Sequence, residues 1–534
     1  MLATRRHLRW IAPLAVLGIA AVLRFWALGR PDSLVFDELY YVRDAISQLA
    51  HGFPTVWPDD DPAFRDPAAF TAEASYAVHP PLGKWLIGLG VLLFGPDNGW
   101  GWRSAVALAG VATVGITMRL GWLMSRSMLV ACTAGLLLAI DGVHIVLTRV
   151  ALLDGFLALA VTLGALCVWR DQEGLRSISP ARQPVLARQP VGNGDSEPAE
   201  LPAPAELPVP ADALAITWNR PWLLAAGVTF GAAASIKWSG LYPLAFFLIF
   251  IAVRDLILRR RELRWPGALR QSLAQALITA VITLPTALAT YLASWAGWIA
   301  SPDAWGRESD VPWIASLWEY HADMLAWHST LSAAHPYQAH PITWPLGLRP
   351  TAMYEEGEGV ISGISPLPNL LVTWGGVAAL CMLAWLVLHE MVADRRLRIA
   401  APEFVASGPV ESHPLMFASA FVLTGYLAGW LPWLLTVSRS AVFQFYAVVL
   451  TPFSALALAL VIGMLWGIPS GSQGTLRPGF HLSRDPEALL SRRLTVAIFM
   501  VFAVVIAVLF FPVWSGMPVA EWFWRAHMWL PGWS

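Results

Sequence analysis

The sequence predicts an all-α protein that crosses a membrane many times, and three observations support this fold class. Hydrophobic residues make up 57% of the 534 residues and charged residues only 13%, whereas charged residues make up about 25% of a soluble domain. Several apolar blocks approach or exceed the ~20 residues that an α-helix needs to cross a bilayer. These blocks do not alternate between apolar and polar residues, as the strands of a closed β-barrel do. The blocks include Ile11–Leu28, Met128–Ile140, Leu223–Ala234, Leu241–Val253, Val377–Leu388, Ala455–Trp466 and Leu494–Phe511.

The apolar blocks indicate about eleven transmembrane helices, beginning with Ile11–Leu28. Basic residues precede this block, as in a signal peptide, but its apolar stretch is too long for one and no clear cleavage site follows. We therefore interpret it as a retained first span. The stretch HPPLGKWLIGLGVLLF (His79–Phe94) is apolar but short. We interpret it as an interfacial segment or as the lead-in to the second span, with a full crossing of the membrane as the remaining alternative.

Basic clusters indicate the orientation, because cytoplasmic loops carry an excess of Lys and Arg. A cytoplasmic N-terminus places three Arg-rich clusters inside, at Arg259–Arg261, Arg395–Arg398 and Arg492–Arg493. The opposite orientation would place all of them outside. The sequence therefore predicts a multi-pass protein with a cytoplasmic N-terminus.

Long loops divide the chain into segments of different character. Two outward-facing loops, at about residues 30–100 and 298–368, are rich in aromatic residues and contain His, Pro, Asp and Glu. Long loops of this kind are often functional. Two cytoplasmic segments have compositions that cannot form a packed core, so we predict a disordered loop at 171–217 and a linker at 467–493. The expected organisation is a transmembrane core at 1–466, this linker, and a last span with an outward tail at 494–534.

Two adjacent carboxylates, Asp37 and Glu38, lie just outside the first span in the stretch RPDSLVFDELYYVRDA. On spacing alone, they are consistent with two solvated loop acids. Their apolar and aromatic neighbours argue against a freely solvated position. A carboxylate in such surroundings can have a raised pKa and act as a general base, so the pair is a candidate catalytic site.

Basic residues gather near the outer ends of the predicted spans. The chain contains only two lysines, Lys84 and Lys237, and both fall there, as do Arg103, Arg149 and Arg439. Snorkelling of basic side chains at helix ends would explain this distribution. The functional alternative is that these cations bind an anionic lipid headgroup, since ionisable groups near membrane spans are functional candidates.

Asp154, in the stretch TRVALLDGF, has two interpretations. It could pair with Arg149 and hold that side chain in place. It could also contact a substrate directly, and the sequence leaves both roles open.

The second outward loop contains the stretch HSTLSAAHPYQAHPITWPLGLRP, with histidines at positions 328, 335 and 340. Their spacing does not fit a helical H-x-x-x-H arrangement and the prolines force turns, so the pattern disfavours a zinc site. The aromatic and polar residues suit a sugar or peptide pocket, or packing of the loop on the helical bundle. The sequence shows no basic and aromatic pattern typical of nucleic-acid binding, so no nucleic-acid partner is expected.

These stretches, in this order, resemble the motifs of the protein O-mannosyltransferase family. The stretch FDELYYVRDA resembles the FDE motif of that family's first outward loop, and HPPLGKWLIGLG resembles its HPPL motif. The later blocks TRVALLDGF, GAAASIKWSGLYP, HPYQAHPITWPLGLRP and WLPWLLTVSRSAVFQFYAVVLTPF also resemble family motifs. The resemblance runs from about residue 20 to about residue 455. The Arg-rich composition and the HPYQ loop look most like the actinobacterial members.

The resemblance implies a GT-C glycosyltransferase fold with about 11 transmembrane helices, in a bacterial plasma membrane, with the active site on the outer face. It implies inverting transfer of mannose from polyprenyl-phosphate-mannose to Ser or Thr hydroxyls of secreted or membrane proteins. The implied partners are this donor, the acceptor protein and membrane lipid, with the secretion translocon as a further one. Eukaryotic members carry a β-trefoil insert in the second outward loop, and the loop at 298–368 is too short to hold it.

The family's functional residues carry over to positions in the shared motifs. Its catalytic acidic pair falls on Asp37, as the general base, and on Glu38, which would position the acceptor or the sugar. Its important arginines fall on Arg24 and Arg103, and its phosphate-contacting lysine falls on Lys237. The other substrate-binding candidates, of which Arg439 is chosen by charge and position, are His79, Lys84, Arg149, Asp154, His335, Gln338 and Arg439.

This set of residues suits the implied reaction. A hydroxyl that attacks an anomeric carbon loses a proton, for which one carboxylate suffices. The phosphate leaving group is already anionic, so it needs cations rather than a general acid. Glycosidases, in contrast, use two separated carboxylates. The pattern therefore requires no cofactor and no metal, although it leaves a divalent metal open.

Two alternatives follow from the same sequence. A GT-C enzyme of this kind could use a lipid or a cell-wall glycan as acceptor, or deliver another sugar. A transporter would place broken helices and ionisable groups near the middle of the membrane, often with internal repeats. The charges here gather at one face and no repeat is evident, which disfavours transport.

Overall fold

The computed structural model describes residues 2–58, 64, 66–178, 216–332, 335–400, 415–436, 439–468, 482–483 and 485–533. Helices α1–α9 are Leu2–Phe25, Glu38–His51, Leu82–Phe94, Gly99–Ser125, Met128–Ala139, Gly142–Leu147, Leu153–Ile178, Pro221–Ile236 and Leu241–Glu262. Helices α10–α17 are Trp265–Ser294, Ala296–Ala300, Trp313–Thr330, Leu370–Ala400, Met416–Leu434, Thr451–Trp466, Pro486–Ser515 and Glu521–Ala526. Short 3₁₀ segments lie at Trp238–Gly240, Pro341–Leu346 and Gln444–Leu450, and strands β1–β3 at Tyr354–Glu356, Val360–Ile364 and Pro518–Ala520.

The predicted helical membrane fold is confirmed. Within the described ranges, eight helices are long and apolar enough to cross a membrane, namely α4, α7, α9, α10, α13, α14, α15 and α16. Shorter apolar helices also occur, at α3, α5, α8 and the part of α1 from Trp10 onward. The number of spans, about eleven from the sequence, stays a prediction.

The helices differ in how much of their surface other helices cover. Helices α4 and α7 and the segment that ends in α15 are mostly buried, whereas α9, α10 and α16 expose most of their residues. Helix α4 packs against α1, α3, α5 and α7, and α8 packs against both α7 and α10. The exposed side chains are strongly apolar, as at Leu277 and Val501. Such a continuous apolar surface suits hydrocarbon rather than water.

The stretch His79–Phe94 forms a helix of its own, α3, rather than an extension of α4. Helix α3 has 13 residues, so it is about 20 Å long and shorter than the ~30 Å hydrocarbon core of a bilayer. Asn98 separates the two helices, because its side-chain oxygen accepts hydrogen bonds from the backbone N–H groups of Trp100 and Gly101 at the start of α4. This length favours the interfacial or lead-in interpretation.

A small antiparallel sheet is the feature that the all-α expectation missed. Strands β1 and β2 form a hairpin in the second outward loop. Strand β3, which follows the last long helix, pairs with β2. Trp524 of α17 covers the sheet at Gly363, where a Cβ atom would lie 2.3 Å from the indole ring. Glycine is therefore required at that position for the tail to pack on the loop.

Two expected boundaries are wrong because the helices extend further than their apolar cores. Residues 171–178, expected in the disordered cytoplasmic loop, form the end of α7. Asp171 there is buried and accepts two hydrogen bonds from Arg220, at 3.0 and 2.5 Å. Helix α16 begins at Pro486 rather than at residue 494. Residues 179–215, 469–481 and 484 of the two segments predicted as disordered loop and linker lie outside the described residues.

Candidate active site

Glu38 is a buried anchor for the first outward loop. Its two carboxylate oxygens accept hydrogen bonds from Nε and Nη2 of Arg103, both at 2.8 Å. They also accept hydrogen bonds from the backbone N–H groups of Val35 and Ala151, at 2.9 and 2.7 Å. Glu38 is 0% exposed and Arg103 is 1% exposed. Protein groups thus use both carboxylate oxygens of Glu38, and its expected role in positioning the acceptor or the sugar stays a prediction.

Arg103 binds the same loop at several further points. Its guanidinium donates to the backbone carbonyls of Leu28, Pro31 and Ser33, at 3.3, 2.9 and 2.8 Å. An arginine with five N–H donors and a bidentate carboxylate partner is well suited to fix a loop. These contacts hold the backbone that leads to Asp37. The expected contact between Arg103 and a substrate stays a prediction.

Arg24 and Arg149 have similar structural roles at helix ends. Arg24 is fully buried and donates to the backbone carbonyls of Leu138 and Ala139 in the last turn of α5, at 3.2 and 2.9 Å. Arg149 donates to carbonyls at the end of α1, including that of Leu23 at 3.1 Å. The last carbonyls of a helix lack partners within the helix, so these arginines satisfy them. The expectation that Arg24 and Arg149 bind substrate stays a prediction.

Asp37 occupies the N-cap position of α2, but its side chain does not cap the helix. An aspartate at this position usually accepts a hydrogen bond from the first turn. Here Oδ2 accepts a hydrogen bond from the Tyr41 hydroxyl instead, at 3.4 Å. Phe36, the preceding residue, has a φ of 50°, a left-handed conformation that a bulky side chain rarely adopts and that is often found at functional sites. The Asp37 carboxylate thus contacts a side chain of α2 and leaves the backbone N–H groups of the first turn uncapped.

Burial raises the pKa of Asp37 to about 6. The nearby positive charge of Lys237 lowers this pKa, and the negative charge of Asp154 raises it, but both effects are smaller than that of burial. The ordinary value is 3.8. A carboxylate with a pKa near 6 is a stronger base than an exposed aspartate and is still mostly ionised at neutral pH.

A cavity of about 220 Å³ is lined by residues from both outward loops and from the helix ends between them. Asp37 does not line the cavity itself, but two of the lining residues, Lys237 and Asp154, are the charged groups that influence its pKa. Lys237 projects into it from an extended break between α8 and the following 3₁₀ turn. The break depends on Gly240, where a Cβ atom would lie 2.4 Å from the backbone of Ala233. The polar and aromatic lining includes Asp154, Lys237, Trp238, His328, Arg439 and Tyr446.

Asp154 pairs with Lys237, and not with Arg149, which was one of the two roles that the sequence left open. The distance from Lys237 Nζ to Asp154 Oδ2 is 2.6 Å. Arg149 cannot serve as this partner, because its Nη1 atom is used by carbonyls at the end of α1. The Lys237 ammonium also lies 6.0 Å from the ring centroid of Tyr41 and 5.2 Å from that of Tyr446. Tyr41 thus brings the Asp37 carboxylate close to the cation.

Arg439 supplies the second cation of the cavity. Its Nη2 donates to the Tyr446 hydroxyl at 3.2 Å, and its Nε donates to the Ala441 carbonyl at 2.9 Å. Tyr446 therefore lies between the two cations, with its ring towards Lys237 and its hydroxyl towards Arg439. The sequence gives no sign that Tyr446 belongs to the site, because it is one of several aromatic residues in an apolar run.

His79 lines the cavity, and Lys84 binds its backbone carbonyl. Burial, reinforced by nearby cations including Lys237, lowers the pKa of His79 well below its usual value, so its imidazole is neutral. Lys84 is 1% exposed, donates to the His79 carbonyl at 3.1 Å, and lies 3.2 Å from Asp44. The expected contact between Lys84 and a substrate stays a prediction. The residue is buried and holds the backbone of the HPPL stretch.

His335 and Gln338 lie beside the loop that carries Asp37. The His335 ring packs edge-on against Phe36, with 6.5 Å between the ring centroids, and against Phe443, at 5.0 Å. The Gln338 backbone N–H donates to the His335 carbonyl, forming a turn. Neither side chain lines the cavity. His335 thus supports the strained residue before Asp37, and substrate contact by these two residues stays a prediction.

Comparison with known proteins identifies the family to which this chain is similar. Residues 14–183 match the family described as dolichyl-phosphate-mannose-protein mannosyltransferase, and residues 313–533 match the C-terminal four TMM region of protein-O-mannosyltransferase. A polyprenol-phosphate-mannose–protein mannosyltransferase of Mycolicibacterium smegmatis is 31% identical, over 98% of this chain and 93% of that protein. The chain belongs to the protein O-mannosyltransferase family. The resemblance expected from the motifs is confirmed.

Other protein O-mannosyltransferase relatives extend the comparison. The polyprenol-phosphate-mannose–protein mannosyltransferase of Corynebacterium glutamicum is 28% identical over 96% of this chain and 91% of that protein. A solved S. cerevisiae protein O-mannosyltransferase complex bound to the sugar donor has a TM-score of 0.69 and 14% sequence identity, covering 98% of this chain and 92% of the solved chain. The GT-C fold expected from the resemblance is therefore confirmed.

Proposed function

We propose that the protein transfers mannose from polyprenyl-phosphate-mannose to Ser or Thr hydroxyls of proteins, with inversion at the anomeric carbon. The observation that carries this proposal is a half-buried carboxylate of raised pKa, Asp37, beside a cavity that holds two cations, Lys237 and Arg439. The names of the mycobacterial and corynebacterial relatives support the same donor and a protein acceptor.

The cations serve the leaving group of this reaction. When the bond between the anomeric carbon and the phosphate oxygen breaks, the electron pair stays on that oxygen and the phosphate gains negative charge. Lys237 and Arg439, on either side of Tyr446, are placed to stabilise that charge. Fixed cations in a site that excludes water stabilise developing charge more strongly than they would in water. A general acid for the leaving group is not needed.

Asp37 serves the attacking group. As the acceptor oxygen bonds to the anomeric carbon, its hydroxyl proton passes to the Asp37 carboxylate. Attack from the face opposite the phosphate turns a β-linked donor into an α-linked product. Glu38 binds Arg103, and this pair fixes the loop that positions Asp37.

The proposal includes an orientation of the protein in the membrane. With the N-terminus in the cytoplasm of a bacterium, the Arg-rich clusters face inward and both loops of the site face outward across the plasma membrane. Acceptor proteins would meet the enzyme there while still extended, as they leave the secretion translocon. An extended segment presents its Ser and Thr hydroxyls to the cavity without prior unfolding.

The proposal is tested with purified full-length protein, radiolabelled polyprenyl-phosphate-mannose and a Ser/Thr/Pro-rich peptide. Label should move to the peptide and should be absent from a matched peptide with alanine at every Ser and Thr. Transfer of label to an added lipid or cell-wall glycan acceptor, with none to the peptide, would instead support the alternative GT-C activity. Absence of transfer to any acceptor would refute mannosyl transfer by this site.

A further inference from the structure

His328, near the end of α12, connects the two outward loops at the cavity. Its Nε2 atom lies 2.8 Å from the backbone carbonyl oxygen of Val78. Its Nδ1 atom lies 3.2 Å from Nη1 of Arg439. A carbonyl oxygen can only accept and a guanidinium can only donate. Nε2 must therefore carry the ring hydrogen, and Nδ1 must offer its lone pair to Arg439.

We propose that His328 is a positioning residue for Arg439, acting as a neutral hydrogen-bond acceptor that turns the guanidinium towards the phosphate of the lipid carrier. The proposal rests on the proposed function, because the carrier phosphate is the anion that Arg439 would bind. It extends that function by giving a role to His328, which is not among the substrate-binding candidates predicted from the sequence. The Val78 carbonyl fixes the tautomer, and the tautomer fixes the direction of the bond.

The hydrogen bonds of Arg439 leave its charge available for an anion. The guanidinium of Arg439 donates hydrogen bonds to the His328 ring nitrogen, the Tyr446 hydroxyl and the Ala441 carbonyl, all of which are neutral. Within the described part of the chain, no carboxylate forms an ion pair with Arg439, whereas Lys237 has Asp154. An acidic residue in place of His328 would neutralise the guanidinium. A neutral acceptor orients it without reducing its charge.

The surroundings of His328 keep its imidazole neutral. The His79 ring stacks on it with 5.1 Å between centroids, and the Trp238 ring lies at 6.2 Å. The charged groups that face it are the cations Arg439 and Lys237. Burial, with a smaller contribution from these cations, lowers the pKa of His328 to about 4. Nδ1 therefore keeps its lone pair throughout the physiological pH range.

A double-mutant cycle on the full-length protein tests this proposal. His328→Phe keeps an aromatic ring against His79 but removes both hydrogen bonds, and Arg439→Gln removes the cation. The readouts are kcat/KM for mannosyl transfer and the affinity for undecaprenyl phosphate. We expect roughly tenfold or greater losses from His328→Phe, the scale of one hydrogen bond to a charged group. In the double variant, we expect almost no loss beyond that of Arg439→Gln alone.

Two further variants separate positioning from packing. His328→Asn places an oxygen near the Nδ1 position, so it should recover part of the affinity lost in His328→Phe. His321 is the matched control, since it lies on the same helix and stacks on Trp238, but bonds to Tyr291 rather than to Arg439. The effect of His321→Phe should add to that of Arg439→Gln.

The outcomes distinguish this proposal from the proposed function. If the wild-type protein transfers mannose but the losses from His328→Phe and Arg439→Gln simply add in the double variant, His328 does not position Arg439. The proposed mannosyl transfer would then still stand. Equal losses in His328→Asn and His328→Phe would overturn the acceptor role as well. If the wild-type protein transferred no mannose, the function would fail. Non-additive losses in undecaprenyl phosphate binding would still support the pairing of His328 with Arg439.

Discussion

Replacing Asp37 with asparagine should remove catalysis and, at neutral pH, stabilise the folded protein. The amide has nearly the same shape and can still accept the hydrogen bond from Tyr41, but it cannot take a proton from the acceptor hydroxyl. General-base catalysis contributes about 10²–10⁴-fold to a rate. Mannosyl transfer by Asp37→Asn should fall by a factor in that range. Binding of the lipid carrier should change much less, because the cations are untouched.

The expected stability gain follows from the pKa of Asp37. Folding raises this pKa from 3.8 to about 6, and each pKa unit corresponds to 1.36 kcal/mol. The charged carboxylate therefore costs the folded state at most about 3 kcal/mol at neutral pH. The sign follows because the folded state favours the protonated form. The cost is complete above pH 6, shrinks as the pH falls, and is absent below pH 3.8.

Tryptophan fluorescence during heating measures this effect. Wild-type protein, Asp37→Asn and Asp32→Asn would be compared between pH 4 and pH 8, with Asp32 as an exposed acid of the same loop. Asp37→Asn should melt at a higher temperature than the wild type at pH 7 and at the same temperature near pH 4. Asp32→Asn should match the wild type throughout. Full transfer activity in Asp37→Asn, or a melting difference independent of pH, would refute the reasoning.

Four further outcomes are expected. The kcat/KM of the wild type should fall as the pH drops below about 6, where Asp37 becomes protonated, and a flat profile would argue against this base. Glu38→Ala should destabilise the protein by about 3–5 kcal/mol in thermal unfolding, because it leaves the Arg103 charge buried without a partner. Lys237→Met should weaken undecaprenyl phosphate binding by roughly tenfold or more, measured by titration, with Leu277→Met on the exposed surface as control. Trp524→Ala should cost about 3–5 kcal/mol and expose the hairpin to proteolysis, and unchanged digestion would contradict the packing seen here.

The roles of the acidic pair could be only partly predicted from the sequence. Motif order pointed to Asp37 and Glu38 together, and both lie where the site forms. They are adjacent at the start of a helix, where successive side chains point about 100° apart. One carboxylate therefore faces the cavity region while the other faces the bundle. A sequence pattern cannot reveal which is which, since that depends on where Arg103 arrives from α4.

The basic residues show the same limit. Lys84, Lys237, Arg103 and Arg149 share a position near outer helix ends, but only Lys237 lines the cavity. The other three bind backbone carbonyls, and two of them, Lys84 and Arg103, also pair with the acids Asp44 and Glu38. Helix ends leave carbonyls without partners, so cations gather there for structural reasons as well as for substrate. Charge and span order predict the neighbourhood of a site but not the partner of each side chain.

Hydrophobic patterning predicted the helices well and the sheet not at all. Long apolar blocks carry a strong signal for helices. The strands are three to five residues long, too short for a detectable alternation. Strand β2 also pairs with a segment that lies beyond four long helices in the chain, α13–α16. No local pattern encodes such a distant partner.

Strand β3 has a consequence for how the enzyme is made. The ribosome completes β2 long before α13–α16 and completes β3 only after them. The edge of β2 that pairs with β3 therefore stays unpaired until α13–α16 have been inserted. After that step, the tail closes the sheet, and Trp533 donates its indole N–H to the Gly347 carbonyl. Arg349, two residues further along, donates to Gln444, at the start of the 3₁₀ segment that carries Tyr446. The final packing of this loop is thus tied to the completion of membrane insertion.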